Sequence, residues 1–369
     1  MRPASPSRIA GGNMRHALIM AGGAGTRLWP LSRQKRPKQV LRLSGGASLL
    51  RQAYERVSLV LPPEQINVIT NEVHIPLVAE ELPELPSANL IGEPMARDTV
   101  NAIGLGAAIL AQRDDQATMG VFTADHVITP LDRFAASVEL AFKVAESHSD
   151  ALVTFGVRPT SPHTGYGYIH RGERVEPNVY RVSEFTEKPN LAVATKYVSS
   201  GEYYWNSGMF AWRADTILKE LKEHLPHSHD AFREIAAHWR GEERTRKLQM
   251  LYPTLMKISV DFAIMERAEQ VLVVALDCNW VDLGSWTALE SLHETDESGN
   301  LKVARNAIHL GSRGTIVVSE DDHLIATIGV DDLVIVHSHD ATLICKKRDS
   351  QGIKELVDKV RREFGEQFL

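Results

Sequence analysis

The chain has 369 residues, 43% hydrophobic and 24% charged, with a formal net charge of −6; that length suggests about two to three domains and is ample for a sizeable core. The mildly acidic balance, without a basic block, argues against a general binder of nucleic acid or membrane surface, and no apolar run approaches the roughly 18 residues that cross a bilayer. The two cysteines, Cys278 and Cys345, lack metal-ligand spacing, so neither a disulfide scaffold nor a Cys-based zinc site is expected, and a reducing, cytoplasmic setting is.

Residues 1–13 (MRPASPSRIAGGN) are rich in Pro, Ser and Gly and lack the apolar core of a signal peptide. They read as a disordered, dispensable tail, with Met14 a second candidate start. Residues 16–20 (HALIM) form an apolar run that stops at a glycine-rich loop, the pattern of a buried parallel strand. Residues 66–70 and 120–123 repeat that signal. Between them, residues 96–112 predict a helix with Asp98 as N-cap and Val100, Ile103, Ala107 and Leu110 near helical spacing. Residues 134–146 predict a second helix and 151–156 a further strand. Alternating strands and helices to about residue 160 argue for a doubly wound α/β sheet. Short strands at 167–169, 179–185 and 209–212 then suggest an antiparallel excursion inserted into it.

Four short β runs come next at 315–319, 324–328, 333–337 and 341–345, as in a small β-domain or the first turns of a β-solenoid. Ile353, Leu356, Val357, Val360 and Phe364 predict one face of a terminal helix. The expected division is a tail over 1–13, one domain over 14–295 and a small C-terminal β-domain over 300–369, linked through 296–300.

The loop after the first strand reads Gly22-Gly23-Ala24-Gly25-Thr26-Arg27. A dinucleotide fingerprint would need glycine at Leu28, and a P-loop would need Gly-Lys at Arg27 and Leu28, so both templates fail. What remains is a flexible backbone whose N–H groups can approach an anion, or a plain turn. Arg27, Arg33, Lys35, Arg36 and Lys38 make this the densest basic segment of the chain, and a triphosphate is the natural ligand. Asp125 lies just past an apolar strand, where α/β sheets bind ligands, and Asp282 sits in an aromatic-flanked turn. Mg²⁺ takes such carboxylates together with phosphates, although a loop cap and a turn former explain the pair equally well in isolation. Glu187-Lys188-Pro189 reads by itself as a solvated turn, and Tyr166 and Tyr168 as sheet packing.

Residues 22–39, GGAGTRLWPLSRQKRPKQ, resemble the signature of the sugar-1-phosphate nucleotidylyltransferases. The Leu-Trp-Pro, Ser-Arg and Pro-Lys-Gln form is similar to that of the members acting on GTP and mannose 1-phosphate, and the resemblance continues through nearly the whole chain after Met14. It implies a Rossmann-like α/β nucleotidyltransferase domain with a mixed sheet and a small β-helix-like C-terminal domain ending in a helix. It implies Mg²⁺-dependent transfer that forms GDP-mannose and pyrophosphate, without nucleic-acid or membrane partners and with a homodimer left open. By the same resemblance, Gly22, Gly23, Gly25, Thr26, Arg27 and Lys38 hold the nucleotide, with Arg97 and Asp98 near the base. Asp125 and Asp282 hold the metal, and with Arg27 and Lys38 form the catalytic group. Glu187 meets sugar hydroxyls, Lys188 the sugar phosphate, Asn206 the sugar, and Gly165 belongs to a loop beside it. The chain departs from the family in having Asp98 for Asn and Val100-Asn101 for Ala-Pro, which bears on base choice more than on reaction type. About seventy residues after Asn300 are too few for the isomerase domain of bifunctional members, so no isomerase activity is expected. The alternatives are another nucleotide and sugar phosphate pair, or a non-catalytic sugar-nucleotide sensor.

Overall fold

The computed structural model describes residues 14–369 apart from positions 24 and 45, and the tail expected over 1–13 lies outside the described residues. Along the chain run β1 (Arg15–Met20), β2 (Ile66–Asn71), β3 (Leu90–Glu93), β4 (Thr118–Thr123), β5 (His126–Thr129) and β6 (Leu152–Val157). They are followed by β7 (Tyr168–Glu176), β8 (Val179–Thr186), β9 (Tyr203–Arg213), β10 (Val271–Leu276) and β11 (Asn279–Asp282). All but β5 and β11 join one sheet in the order β3-β2-β1-β4-β9-β6-β10-β8-β7. β1, β2, β3 and β4 are parallel, while β9 runs antiparallel between β4 and β6. The α/β class is as expected, and β7, β8 and β9 are the antiparallel excursion.

The parallel strands are apolar because helices cover both faces. Ala17, Leu18 and Ile19 of β1 and Val121 and Phe122 of β4 are fully buried. The helix Thr99–Arg113 is capped by Asp98 as expected, but it is buried from Val100 to Leu110 on every side. The predicted stripe is therefore only part of its contact surface, since the Ala214–His224 and Pro226–Ala237 helices pack against it as well.

The polar stretch Asn206-Ser207-Gly208 hides the length of β9, which spans eleven residues rather than four. These residues sit where the register against β6 shifts between Thr154 and Gly156, and Gly208 takes φ +67°. A bulge of this kind re-aims a side chain within a continuous strand.

The C-terminal strands are β12 (Leu301–Val303), β13 (Ala307–Leu310), β14 (Ile316–Ser319), β15 (Ile325–Ile328), β16 (Leu333–Ser338) and β17 (Ala341–Lys346). β12, β14 and β16 pair in parallel, as do β13 and β15, which is solenoid stacking; β17 closes antiparallel on β16. The 296–300 connection is an ordered turn, because the Asp296 carboxylate accepts the backbone N–H groups of Ser298 and Asn300. The terminal helix Ile353–Phe364 buries Ile353 and Val357, whereas Leu356 and Phe364 are exposed. Its apolar face is thus narrower than predicted, because only its first turns dock. They join Leu28, Trp29, Leu31, Trp286, Val334 and Val336 in one core shared by the basic loop segment and the C-terminal strands. Among the described residues no helix is long and apolar enough to cross a membrane.

Candidate active site

The site lies at the carboxyl ends of β1 and β4. The Gln39 amide donates to the Gly22 carbonyl and ties the basic segment to the glycine loop. Gly25 has φ +56°, and a Cβ there would lie 2.7 Å from Lys38 Cβ and 2.5 Å from Ser32 Oγ. A side chain is therefore excluded on both conformational and steric grounds. That close approach lets Lys38 reach across to Asp125, with which its ammonium forms an ion pair.

Asp125 sits between β4 and β5. Asp282 is not in a turn, as its flanking aromatics suggested, but is the last residue of β11, directly opposite His126 of β5 in an antiparallel ribbon. Asp125, His126 and Asp282 each offer one ligand atom, all within 4.8 Å of one another. Two carboxylates at that spacing supply the hard oxygen donors that a divalent cation requires.

The His126 ring plays another part. Its Nδ1 accepts from Trp280 Nε1 at 3.0 Å and lies 2.5 Å from Thr123 Oγ1. An acceptor Nδ1 leaves the neutral ring's proton on Nε2, facing Asp125 at 3.9 Å. Burial depresses the His126 pKa to about 3, so the ring stays neutral, and its bonds to Trp280 and Thr123 brace the ribbon. Burial alone would raise the Asp125 carboxyl, but the Lys38 charge holds it well below the ordinary range. Asp282 is pushed up by burial and by the Asp125 charge. Lys38 is raised, because the two carboxylates outweigh its own burial.

Arg27 is exposed at the rim. A Cβ on Gly284 would lie 3.4 Å from Arg27 Nη2 and 3.3 Å from Asp282 Oδ1, so guanidinium and carboxylate flank one point. Gly22, Gly23 and Thr26 line an adjacent cavity of about 310 Å³ with Asn71, His74 and Arg361. The remaining basic side chains of the segment divide. Arg33 pairs with Asp340 at 2.5 Å and Arg36 with Glu320, both at the ends of C-terminal strands, and Trp29 Nε1 donates to the Phe368 carbonyl at 2.7 Å. Part of the basic density in the sequence therefore serves docking.

Of the residues expected near the base, Asp98 has φ 69° and ψ 176°, a region costing a non-glycine residue about 1–3 kcal/mol. Its carboxylate accepts Thr99 N–H at 2.9 Å. Arg97 donates to the Pro253 carbonyl. Glu93, which sequence reasoning missed as a separate group, is buried beneath the glycine loop, with the Tyr252 hydroxyl donating to it. Burial raises its pKa to about 7.

Of the residues expected near the sugar, Glu187 and Lys188 pair at 2.9 Å. A Cβ on Gly167 would run into Glu187 Oε1, so Gly167 makes room for that carboxylate. Gly165 lies further out, where its N–H donates to His163 Nδ1 at 3.1 Å. Tyr168 is core, while Tyr166 is half-buried and stacks on His163. Asn206, on the β9 bulge, reaches Asp261, a second residue that sequence reasoning passed over.

The nucleotidyl transferase family matches residues 16–299, and the MannoseP isomerase/GMP-like beta-helix domain matches residues 305–360. The chain is 40% identical to a mannose-1-phosphate guanylyltransferase of Klebsiella pneumoniae, covering 92% of this chain and 73% of that protein. It is 37% identical to a putative mannose-1-phosphate guanylyltransferase of Vibrio cholerae, over 94% of this chain and 74% of that one. A crystal structure from Thermus thermophilus, described as a mannose-1-phosphate geranyltransferase, superposes with a TM-score of 0.84 at 35% identity, covering 94% of this chain and 99% of that one. With its first domain matched almost end to end, the chain belongs to the nucleotidyl transferase family.

Proposed function

We propose that this chain transfers the guanylyl group of GTP to mannose 1-phosphate, forming GDP-mannose and releasing pyrophosphate. The observation that carries the reading is the convergence of Asp125, Asp282, Lys38 and Arg27 beside the glycine loop. Relatives named for this activity align over nine-tenths of the chain. The two free thiols fit a cytoplasmic setting.

The sugar phosphate oxygen attacks the α-phosphorus of GTP in line, and pyrophosphate leaves. The nucleophile is already an anion, so no general base or covalent intermediate is needed, and catalysis is positioning plus charge stabilisation. Arg27 and Lys38 hold the triphosphate over the glycine loop. Asp125 and Asp282 would hold Mg²⁺, which would supply positive charge to offset the charge on the reacting phosphates. Glu187 and Asn206 orient the sugar hydroxyls, and Lys188 meets the sugar phosphate.

Pyrophosphate release across four nucleoside triphosphates and several sugar 1-phosphates tests the reading. GTP with mannose 1-phosphate should give the highest kcat/KM; a clear preference for another pair would replace the assignment.

Glu187→Gln should raise KM for mannose 1-phosphate roughly tenfold or more, with KM for GTP little changed. The substitution keeps shape and removes a charged acceptor worth roughly 1.5–3 kcal/mol. Equal effects on both substrates would speak against a sugar-specific role. Asp98→Asn should leave the melting temperature and the GTP:ATP ratio nearly unmoved, because Asn and Asp cap helices almost equally and bear the same backbone strain here. A several-fold change in that ratio would reveal a base contact instead.

A further inference from the structure

A carboxylate outside the family signature stands behind the sugar site. Asn206 Nδ2 donates to Asp261 Oδ1 at 2.8 Å, while Asn206 Oδ1 accepts Gly208 N–H at 3.1 Å and Thr154 Oγ1–H at 3.3 Å. A backbone N–H can only donate and an ionised carboxylate can only accept, so these partners fix which way the amide faces. One N–H of the amide is left to point elsewhere.

Asp261 is itself held firmly. It opens the short π-helical turn Asp261–Met265, just after Val260, whose N–H donates to Thr99 Oγ1 at 2.9 Å. Asn101 Nδ2 donates to the Met256 carbonyl at 2.8 Å, and Arg97 to the Pro253 carbonyl. The segment 253–260 is thus strapped down by side chains of the Arg97–Asn101 stretch, and it delivers Asp261 to the β9 bulge. Glu187 stands nearby, and burial together with its charge raises the Asp261 carboxyl to about 6. Crowding two carboxylates is unfavourable, so an arrangement that keeps them together has a compensating role at this place.

We propose that Asp261 is a positioning residue of the sugar site: by accepting from Asn206 Nδ2 it locks the amide so that its free N–H faces a hydroxyl of the sugar phosphate. The inference rests on the sugar-site reading above. It explains why Asn206 lies on a bulge, since an in-register strand would not turn it toward Asp261.

The test is steady-state kinetics on full-length variants. Asp261→Ala should raise KM for mannose 1-phosphate about tenfold, leave KM for GTP within twofold and narrow the preference for mannose 1-phosphate over glucose 1-phosphate. Asp261→Asn keeps an acceptor oxygen and should stay within about threefold of the parent on every parameter. In an Asn206→Ala background, Asp261→Ala should add less than twofold. Where the alanine variant does not fold, Asp261→Ser, too short to reach the amide, serves the same comparison. A rise in both KM values together, a fall in melting temperature alone, or an undiminished effect without Asn206 would overturn the proposal. If the parent enzyme prefers a different sugar phosphate, the functional reading fails separately, and the same comparison made with that substrate still decides the role of Asp261.

Discussion

Asp125→Asn and Asp282→Asn are each expected to lower kcat by at least about a hundredfold, the scale of losing one electrostatic stabiliser in a closed site. The β5–β11 ribbon sets both carboxylates on one point, and neither can serve a divalent cation alone with the same affinity. The double variant should be far less than additively worse, because residues acting as a unit lose their function together. Each variant should show weaker Mn²⁺ binding by calorimetry. Folding should survive: Asn is isosteric, Asp282→Asn relieves the crowding of two acids, and Asp125→Asn leaves Lys38 with Asp282 as its remaining counter-charge at some cost in stability; a circular dichroism melt separates loss of fold from loss of chemistry. Near-normal turnover in either folded single variant would remove that residue from the metal site.

Lys38→Met should reduce kcat/KM for GTP by a hundredfold or more, and it should also destabilise the protein. Lys38 is the cation in contact with Asp125, and the two side chains are only 13% and 21% exposed. Breaking a fully buried pair costs roughly 3–5 kcal/mol; the residual exposure here lowers the expectation to about 1–3 kcal/mol. Adding Asp125→Asn should restore much of the stability by removing the stranded charge, without restoring turnover. Mg²⁺ should raise the melting temperature of Lys38→Met more than that of the parent, as a replacement cation. If the Lys38→Met single variant loses stability but keeps kcat/KM for GTP, Lys38 is a structural partner of Asp125 and not a nucleotide contact.

The strands that build the floor of the site were legible because their burial is dictated by composition. HALIM in β1 and GVFT in β4 are apolar on both faces, and the glycine loop and Asp125, which lie just past the carboxyl ends of these strands, could be read from position alone. Asp282 could be named but not placed, because a four-residue ribbon strand paired to a segment some 150 residues earlier leaves no periodic signal. Asn206-Ser207-Gly208 has turn composition yet lies inside a strand, since tertiary register overrides local preference. Arg33 and Arg36 look like phosphate ligands until the C-terminal carboxylates that neutralise them are brought alongside. The Glu93–Tyr252 bond joins residues 159 apart, and the Asn206–Asp261 bond joins residues 55 apart. Such pairs are invisible to spacing arguments. Gly167 gives no such signal in sequence, and the approach of Glu187 explains why a side chain cannot be placed there.

In the proposed direct transfer the sugar phosphate attacks GTP and the chain supplies only position and charge. Lys38 and His126 are the nitrogen groups beside Asp125 that a covalent route would use, one held as an ammonium ion and the other buried. Incorporation of labelled pyrophosphate into GTP, measured with Mg²⁺ and without any sugar substrate, separates the two routes. Direct transfer predicts no exchange until GDP-mannose is added. Exchange in its absence would demonstrate a guanylylated enzyme and contradict the mechanism.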